Sequence, residues 1–545
     1  MKNKLRIIPL GGLGEVGKNM MVYEYGENIL VVDTGIMFPE NDMLGIDYII
    51  PDFEYLKDNA DKVRGIVITH GHEDHTGAIA HVLEYINAPI YATRLTRGLL
   101  EVKLSKRGML SKASLNTIEA GDTINIGPFT VEFFHVCHSI PDAVGLGITS
   151  PVGLVVHTGD YKFDSTPVDG WPTDFAKLAE FSGRGVLALL ADSTNADKPG
   201  WTPSEKVIDP ALRKVFEDAP GRVIVASFAS LISRMQQVAS AAQRTGRKLA
   251  FVGMSMRENS RMARQLGYLN IPDGLEVPLD QALKMKDREV VLMCTGSQGE
   301  PSSIMGRLSR GTNRHFDIKK GDTVVLSSHP IPGNEETVHR TINRLFQRGA
   351  NVIYEPLEQV HVSGHASQEE IKLMINLVKP QYLIPIHGEL RHLRQHAVLA
   401  QEIGVPEENI MVIENGQVLE LSAEGDLEPG ERIPGGYVFV DGARVGDVGP
   451  SVVREREALA RDGIVVISLA LDDNGRLMDE PDIITRGFIY KHNADELLGD
   501  VASLVVDVVE NSNGNIHDEV RQRVRSFLYN ETKRRPQIFV TLNWV

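Results

Sequence analysis

The chain has 545 residues and a formal net charge of −16, too long for one ordinary core and consistent with about three or four units of roughly 150 residues. Its 42% apolar and 24% charged content is that of a globular protein and excludes disordered and fibrous classes. The acidic balance lacks the overall basic footprint of a nucleic-acid binder, although bound cations in a groove would reverse the sign locally.

Met1–Lys4 is basic, but glycine-rich sequence follows it, so no signal peptide is expected. No stretch approaches the roughly 20 apolar residues of a membrane span. Cys137 and Cys294 are too few for a disulfide framework; they fit a reducing compartment, and a cytoplasmic location is expected. Gly12-Leu13-Gly14-Glu15-Val16-Gly17 matches the dinucleotide fingerprint G-x-G-x-x-G. Strand follows it where a helix would be needed, so it reads as a tight turn packed near a site rather than a pyrophosphate cradle.

Short apolar runs bounded by Gly, Pro and Asp predict a hairpin from Met20–Tyr25 and Asn28–Asp33, then strands at Arg64–Thr69, Phe129–Phe134 and Gly153–His157. A helix is expected to begin at Asp74-His75 and continue through Ala78–Asn87. From about Pro203 the pattern alternates. Helices at Ser204–Ala219, Ser233–Thr245 and Glu258–Leu266 interleave with strands at Arg222–Ala226, Lys248–Phe251, Glu289–Met293 and Thr323–Leu326, as in a separate parallel-sheet unit. Short strands resume near Asn351, with Tyr382–Pro385 leading to His387. Leu427–Gly436, rich in Gly, Pro and charge, reads as a linker. The tail from Gly463 predicts a strand, helices Glu496–Asn511 and Asn515–Tyr529, and a last strand Gln537–Leu542.

The strongest chemical signal is His70-Gly71-His72-Glu73-Asp74-His75, directly after a strand. In extended chain His70 and His72 face one side, while Asp74 and His75 fall where a helix starts, so one segment offers two ligand pairs. Crowding these groups without a cation costs desolvation and repulsion. Imidazole and carboxylate donors suit zinc, manganese or iron. His138, Asp160 and His387 each follow a strand end, where loops of one sheet edge converge, and complete two coordination shells in which Asp160 is placed to bridge. Asp33 is expected to orient a ligand imidazole. Cys137 is expected to be a buried, inert thiol.

Asp33, the H-x-H-x-D-H string, His138, Asp160 and His387 resemble the metallo-β-lactamase superfamily. Asp192 in ADSTN, His365 in VSGHA and His387 in PIHGE resemble the three motifs of its β-CASP branch. Strings from LGGLGEVGKN through FPENDMLGIDYIIPD, HSIPDA, CTGSQGEP, PIPGNE and HVSGHASQEE to ITRGF and TKRRP resemble the ribonuclease J family over nearly the whole chain. The resemblance implies an α/β fold: a metallo-β-lactamase αββα sandwich with an inserted β-CASP α/β domain and a small C-terminal α/β domain. The expected boundaries are 1–204 and 351–425 for the sandwich, 205–350 for the insertion, 426–455 for a linker and 456–545 for the C-terminal domain.

It further implies a metal-dependent ribonuclease with 5′→3′ exonuclease and endonuclease activity on single-stranded RNA, acting in mRNA decay and rRNA 5′ maturation. A homodimer or homotetramer, RNA-decay protein partners and no membrane association are expected. Two divalent ions, zinc or manganese, would activate a bridging hydroxide. One is expected on His70, His72 and His138, the other on Asp74, His75 and His387, with Asp160 shared. His365 is the candidate acid or donor to the phosphoryl oxygens, with Asp192 orienting that region. Ser363, Gly364 and the backbone of His361, Val362 and His365 suit a pocket for a terminal 5′-monophosphate. Leu231, Ile232 and Ser233 are expected near the RNA path, and Leu231 and Ser233 stand where the family often has Asn and His. Family members also bind a structural calcium, here expected near Gly45–Asp47 and Asp441. Arg94, Arg97, Lys103, Lys106 and Arg107, and Arg307, Arg310 and Arg314, are basic groups available to RNA.

Overall fold

Two twisted sheets pack face to face through their apolar surfaces. One has eight strands, in the order Leu427–Arg432, Gln417–Leu421, Leu5–Gly11, Met20–Tyr25, Asn28–Val32, Val63–Ile68, Ile90–Thr93 and Leu115–Ile118. The other has six: Tyr382–Ile386, Ala188–Asp192, Leu154–His157, Val144–Thr149, Phe129–His135 and Thr123–Ile126. Leu30, Val32 and Val67 of the first meet Val131, Phe133, Leu146, Val155 and Ile384 of the second in one core. Helices Phe175–Arg184, Gln368–Val378 and Leu390–Glu402 cover the outer face of the six-stranded sheet through Leu178, Phe181, Ile371, Met374 and Leu399. This is the αββα sandwich.

The structure is a computed structural model and describes residues 4–40, 42–331, 333–442, 444–489, 494–512 and 514–545. They form two compact units, Met1–Phe38 with Tyr48–Val438, and Pro39–Asp47 with Phe439–Val545. Within the first unit the chain leaves the sandwich after Asp192 and builds a wholly parallel sheet in the order Lys248–Val252, Val290–Cys294, Val223–Ala226, Thr323–Leu326 and Asn351–Ile353. Helices Ile208–Asp218, Ile232–Arg244, Met254–Leu266 and Glu335–Gln347 flank it. The fully buried Arg234 ties this insertion together. Its guanidinium donates to Glu205 Oε2 (2.9 Å), to the Val360 carbonyl (2.7 Å) and to Ser327 Oγ, and so spans both segments that connect insertion and sandwich.

In the second unit strands Asp482–Arg486, Ile464–Leu471 and Gln537–Trp544 form a three-stranded sheet, with Val465, Ile467 and Leu469 buried with residues of helices Ala494–Asn511 and Ile516–Thr532.

Three local expectations change. The helix expected from Asp74 to Asn87 is two short ones, Glu73–Thr76 and Ile79–Val82. Its backbone is diverted: the carbonyls of Glu73, Asp74 and His75 accept from the N–H groups of Ile36, Asn19 and Thr34, and Ala78 N–H donates to Thr34 O. Part of the expected linker, Leu427–Arg432, is an edge strand paired with Gln417–Leu421. The basic run Arg94–Lys106 is a helix that buries Leu95, Leu99, Leu100 and Leu104; apolar spacing on that face was the signal overlooked.

Replacing Arg234 by Met should cost about 3–5 kcal/mol, because buried Glu205 loses its hydrogen-bonded cation and keeps only Lys162, 3.8 Å from its other oxygen, whereas Arg257→Met on the surface should stay within about 0.5 kcal/mol. Urea unfolding of the two variants provides the check, and equal midpoints would contradict the assigned role.

Candidate metal centre

The parallel pairing Val156↔Leu189, His157↔Leu190 and Asp192↔Ile386 sets three strand ends side by side. Asp160, Asp192 and His387 therefore leave the six-stranded sheet at one edge. Strand Val63–Ile68 delivers His70, His72, Asp74 and His75 from the facing sheet. The donor atoms of His70, His72 and His138 lie within 4.8 Å of one another, as do those of Asp74, His75, Asp160 and His387. A third overlapping group joins Asp160 and His387 to Asp192 and His365. All seven residues expected as ligands thus meet in one cleft.

Outward hydrogen bonds fix which nitrogen faces inward. His138 Nδ1–H donates to the Gly364 carbonyl (2.7 Å). Thr69 gives its N–H and hydroxyl to Asp33 (2.8 and 2.9 Å), so the His70 Nδ1–H at 3.1 Å donates to Thr69 Oγ1. His75 Nδ1–H points at Asp33 Oδ2 (2.8 Å). The free nitrogens then converge: His72 Nδ1 is 3.1 Å from both His70 Nε2 and His138 Nε2. Asp160 Oδ2 lies 3.2 Å from His75 Nε2 and 3.6 Å from His70 Nε2 and His138 Nε2, while Oδ1 is 2.9 Å from His387 Nδ1. Asp160 Oδ2 and His387 Nε2 are buried without a hydrogen-bond partner. Lone pairs turned on one another beside an orphaned carboxylate oxygen are what a divalent cation would satisfy, so this donor set fits a metal.

Electrostatics divides the cleft. Burial drives His70 and His138 well below the usual imidazole range and His72 down to about 4, which leaves neutral donors. Burial opposes charge on His387 too, but the Asp160 carboxylate, helped by Asp74 and Asp192, outweighs it and pushes His387 up to about 10. His75 is raised by Asp160, Asp74 and Asp33 against the same burial. Asp33 and His387 adopt left-handed backbone, with φ of 64° and 50°, a strain non-glycine residues carry mainly at functional sites.

His365 Nδ1 is 2.7 Å from Asp192 Oδ2. Its side chain is 20% exposed, against 2% for His387. Its carbonyl accepts from Thr202 Oγ1 (2.7 Å) and Asn195 Nδ2 (3.1 Å). Asp192 Oδ1 accepts from the Thr194 N–H and hydroxyl. No role for Thr69, beside the His70 run, for Thr194 and Asn195, within ADSTN, or for Thr202, outside every motif, is legible in the sequence, because nothing in spacing marks a positioning hydroxyl or amide.

The remaining expected residues are distributed unevenly. Ser363 Oγ accepts from Asn195 Nδ2 at 2.8 Å, and a Cβ on Gly364 would strike the His138 ring at 2.6 Å. Val362 and His361 are buried, and the His361 ring stacks on His329. Leu231 and Ile232 are buried, Ile232 in the core of the inserted domain; Ser233 borders a cavity with His138, Trp171 and Glu205. Cys137 is buried, which raises its thiol, and it contacts the carbonyls of Asp164 and Trp171. Most of the basic run is engaged: Arg97 with Glu101, Lys103 with Glu73, Lys106 with Glu258 and Arg107 with Tyr48. Around the suggested calcium position, Asp47 accepts from Gly442 N–H (2.8 Å) and Asp441 pairs with Arg456 (2.6 Å).

Four family descriptions match in chain order: Metallo-beta-lactamase superfamily at residues 13–198, Ribonuclease J beta-CASP domain at 220–345, Zn-dependent metallo-hydrolase RNA specificity domain at 349–412, and Ribonuclease J C-terminal domain at 451–544. Ribonuclease J 1 of Streptococcus pyogenes is 42% identical over 98% of this chain and 97% of its own. The chain belongs to the ribonuclease J family. Ribonuclease J2 of Bacillus subtilis is likewise 42% identical, over 98% of this chain and 97% of its own, and Ribonuclease J of Thermus thermophilus is 42% identical over 98% and 95%. A solved structure from Enterococcus faecalis V583, described as a protein of unknown function, shares the fold at 17% identity, with a TM-score of 0.54 over 77% of this chain and all of that one. This ribonuclease J family member is a metal-dependent ribonuclease whose substrate is RNA. Among its described residues no helix is long and apolar enough to cross a membrane.

Divalent cations should therefore stabilise the chain. At a hundredfold excess over Kd the gain is about 2.7 kcal/mol, seen as a raised melting temperature that chelation reverses. A melting temperature indifferent to chelation would exclude a cation from these residues.

Proposed function

We propose that this family member degrades single-stranded RNA from a 5′-monophosphate end and also cuts internally, using a pair of zinc or manganese ions. The observation that carries the reading is the division of seven donors, five of them buried and His72 and Asp74 partly so, into a trio and a quartet around Asp160. His70, His72 and His138 would hold one ion, Asp74, His75 and His387 the other, and Asp160 would serve both. Bound there, the pair supplies Lewis acidity toward a phosphodiester and lowers the pKa of water.

The chain's own groups handle the leaving side. Burial works against charge on His365, but Asp192 and Asp160 outweigh it and raise the imidazole. Asp192 accepts from Nδ1–H, so the Nε2–H remains to protonate a departing 3′-oxygen or to donate to a phosphoryl oxygen. Thr202 and Asn195 hold the His365 backbone while its ring stays partly open, as a proton donor to substrate requires. Ser363 and Gly364, next to His365 and against His138, are where a terminal phosphate would be read. Roles in mRNA decay and rRNA 5′ maturation, assembly as a homodimer or homotetramer, contact with RNA-decay proteins and a cytoplasmic location belong to the same reading and rest on the family relationship.

Removing a donor of the trio by His72→Ala should abolish RNA cleavage, and unchanged turnover would contradict the ligand set. On end-labelled RNA, 5′-monophosphate substrates should decay faster than 5′-triphosphate ones with release of mononucleotides. Equal rates would remove the phosphate pocket, and products of internal length only would remove the exonuclease.

A further inference from the structure

The glycine-rich turn Gly11–Asn19 matches a nucleotide fingerprint in the sequence, yet it reaches the metal centre instead. Leu13-Gly14 pairs in parallel with Gly388-Glu389, the residues directly after His387, and Gly388 N–H donates to Gly12 O at 3.3 Å. At the other end Asn19 holds Asp74. Its backbone N–H (3.0 Å) and its Nδ2 (3.2 Å) both donate to the Asp74 carbonyl, and Nδ2 lies 3.1 Å from His75 Nε2. The Asn19 carbonyl accepts from Gly35 N–H at 2.8 Å.

A buried ion pair locks the turn. Lys18 Nζ is 2.9 Å from Glu15 Oε1, with the lysine side chain fully buried and the glutamate 6% exposed. The same oxygen accepts from Gly12 N–H (3.1 Å) and Asn415 Nδ2 (2.8 Å). Lys18 takes left-handed backbone, φ 56°. The approach is too close for side chains: a Cβ on Gly11 would lie 1.8 Å from the Lys18 carbonyl, and one on Gly12 would lie 2.3 Å from Asn19 Oδ1. The hydrogen bonds described for the turn reach the segments of Asp74, His75 and His387, and none reaches His70, His72 or His138.

We infer that Asn19, fixed by the Lys18–Glu15 pair, is a positioning residue for one cation of the pair, the one on Asp74, His75 and His387, and that the turn sets the affinity of that half alone. The inference rests on the metal-pair reading above. Asp74 sits in a helix of four residues that cannot hold its own direction, and metal geometry tolerates about 0.2 Å. An external clamp on its carbonyl therefore fixes where the carboxylate points. Loss of such an outer partner lowers metal affinity about 10–100-fold.

Zinc(II) titrated into the metal-stripped full chain against a chromophoric chelator tests this without reference to activity. The native chain should take two equivalents. Asn19→Ala should weaken one of them about 10–100-fold and leave the other unchanged, and Gly12→Ala, whose methyl displaces the Asn19 amide, should do the same. His72→Ala should cost the other equivalent, so that Asn19→Ala combined with His72→Ala retains none at a concentration where each single variant keeps one. Thermal melts of the metal-free variants identify any that fail to fold, and Asn19→Ser, which lacks the Nδ2 donor but keeps a polar group, then replaces the alanine variant. A double variant that keeps the same equivalent as His72→Ala, or an Asn19 variant that weakens both equivalents alike, would overturn the inference. A native chain with a single equivalent would instead overturn the metal-pair reading, and this inference with it.

Discussion

Five imidazoles and two carboxylates drawn out of water into one cleft are the constraint around which this fold is arranged. Each group gives up hydration, and several carry or share charge at contact distance, an arrangement that needs compensation to persist. The compensation is visible in the outward bonds. Asp33 serves His75 and Thr69, Thr69 serves His70, the Gly364 carbonyl serves His138, and Asp192 serves His365. What these bonds leave unsatisfied is the inward side, where nitrogen lone pairs and the Asp160 oxygen face a common space. Left-handed backbone at Asp33 and His387 shows that local geometry yields to the site rather than the reverse.

The sandwich supplies this cleft through strand register. Parallel pairing of the strands that end near Asp160, Asp192 and His387 brings residues more than 200 positions apart to one edge. The inserted domain adds what a bare sandwich lacks. The segment returning from it carries Gly364, whose carbonyl orients His138, and His365, whose ring is held by Asp192. Arg234 braces the outgoing and returning segments together, so His365 and the clustered donors are positioned by one connected framework.

Much of this was legible in the sequence because strong local patterns coincide with the chemistry. The run from His70 to His75 after a β-branched strand and the apolar runs before His138, Asp160 and His387 pointed to all seven donors. The hairpin at Met20–Tyr25 and the alternation after Pro203 placed the sheets. What escaped depends on contacts between distant segments. The helix after Asp74 stops early because Ile36, Asn19 and Thr34 take its carbonyls. Leu231 and Ile232 are buried, because the face a residue presents is decided by what packs on it. Asn19 and Thr202 carry no periodicity or charge, and only the fold reveals whose carbonyl they hold. The Gly12–Gly17 string reads as a turn near a site, and its pairing with Gly388 and the hold of the following Asn19 on Asp74 are set by the fold rather than by spacing.

Anomalous diffraction from crystals grown with manganese(II) or zinc(II) tests the central claim most directly. Two peaks are expected, separated by about 3.5–4 Å, one against His70, His72 and His138 and the other against Asp74, His75 and His387, with an Asp160 oxygen within bonding distance of each. A single peak, or peaks away from Asp160, would contradict the account.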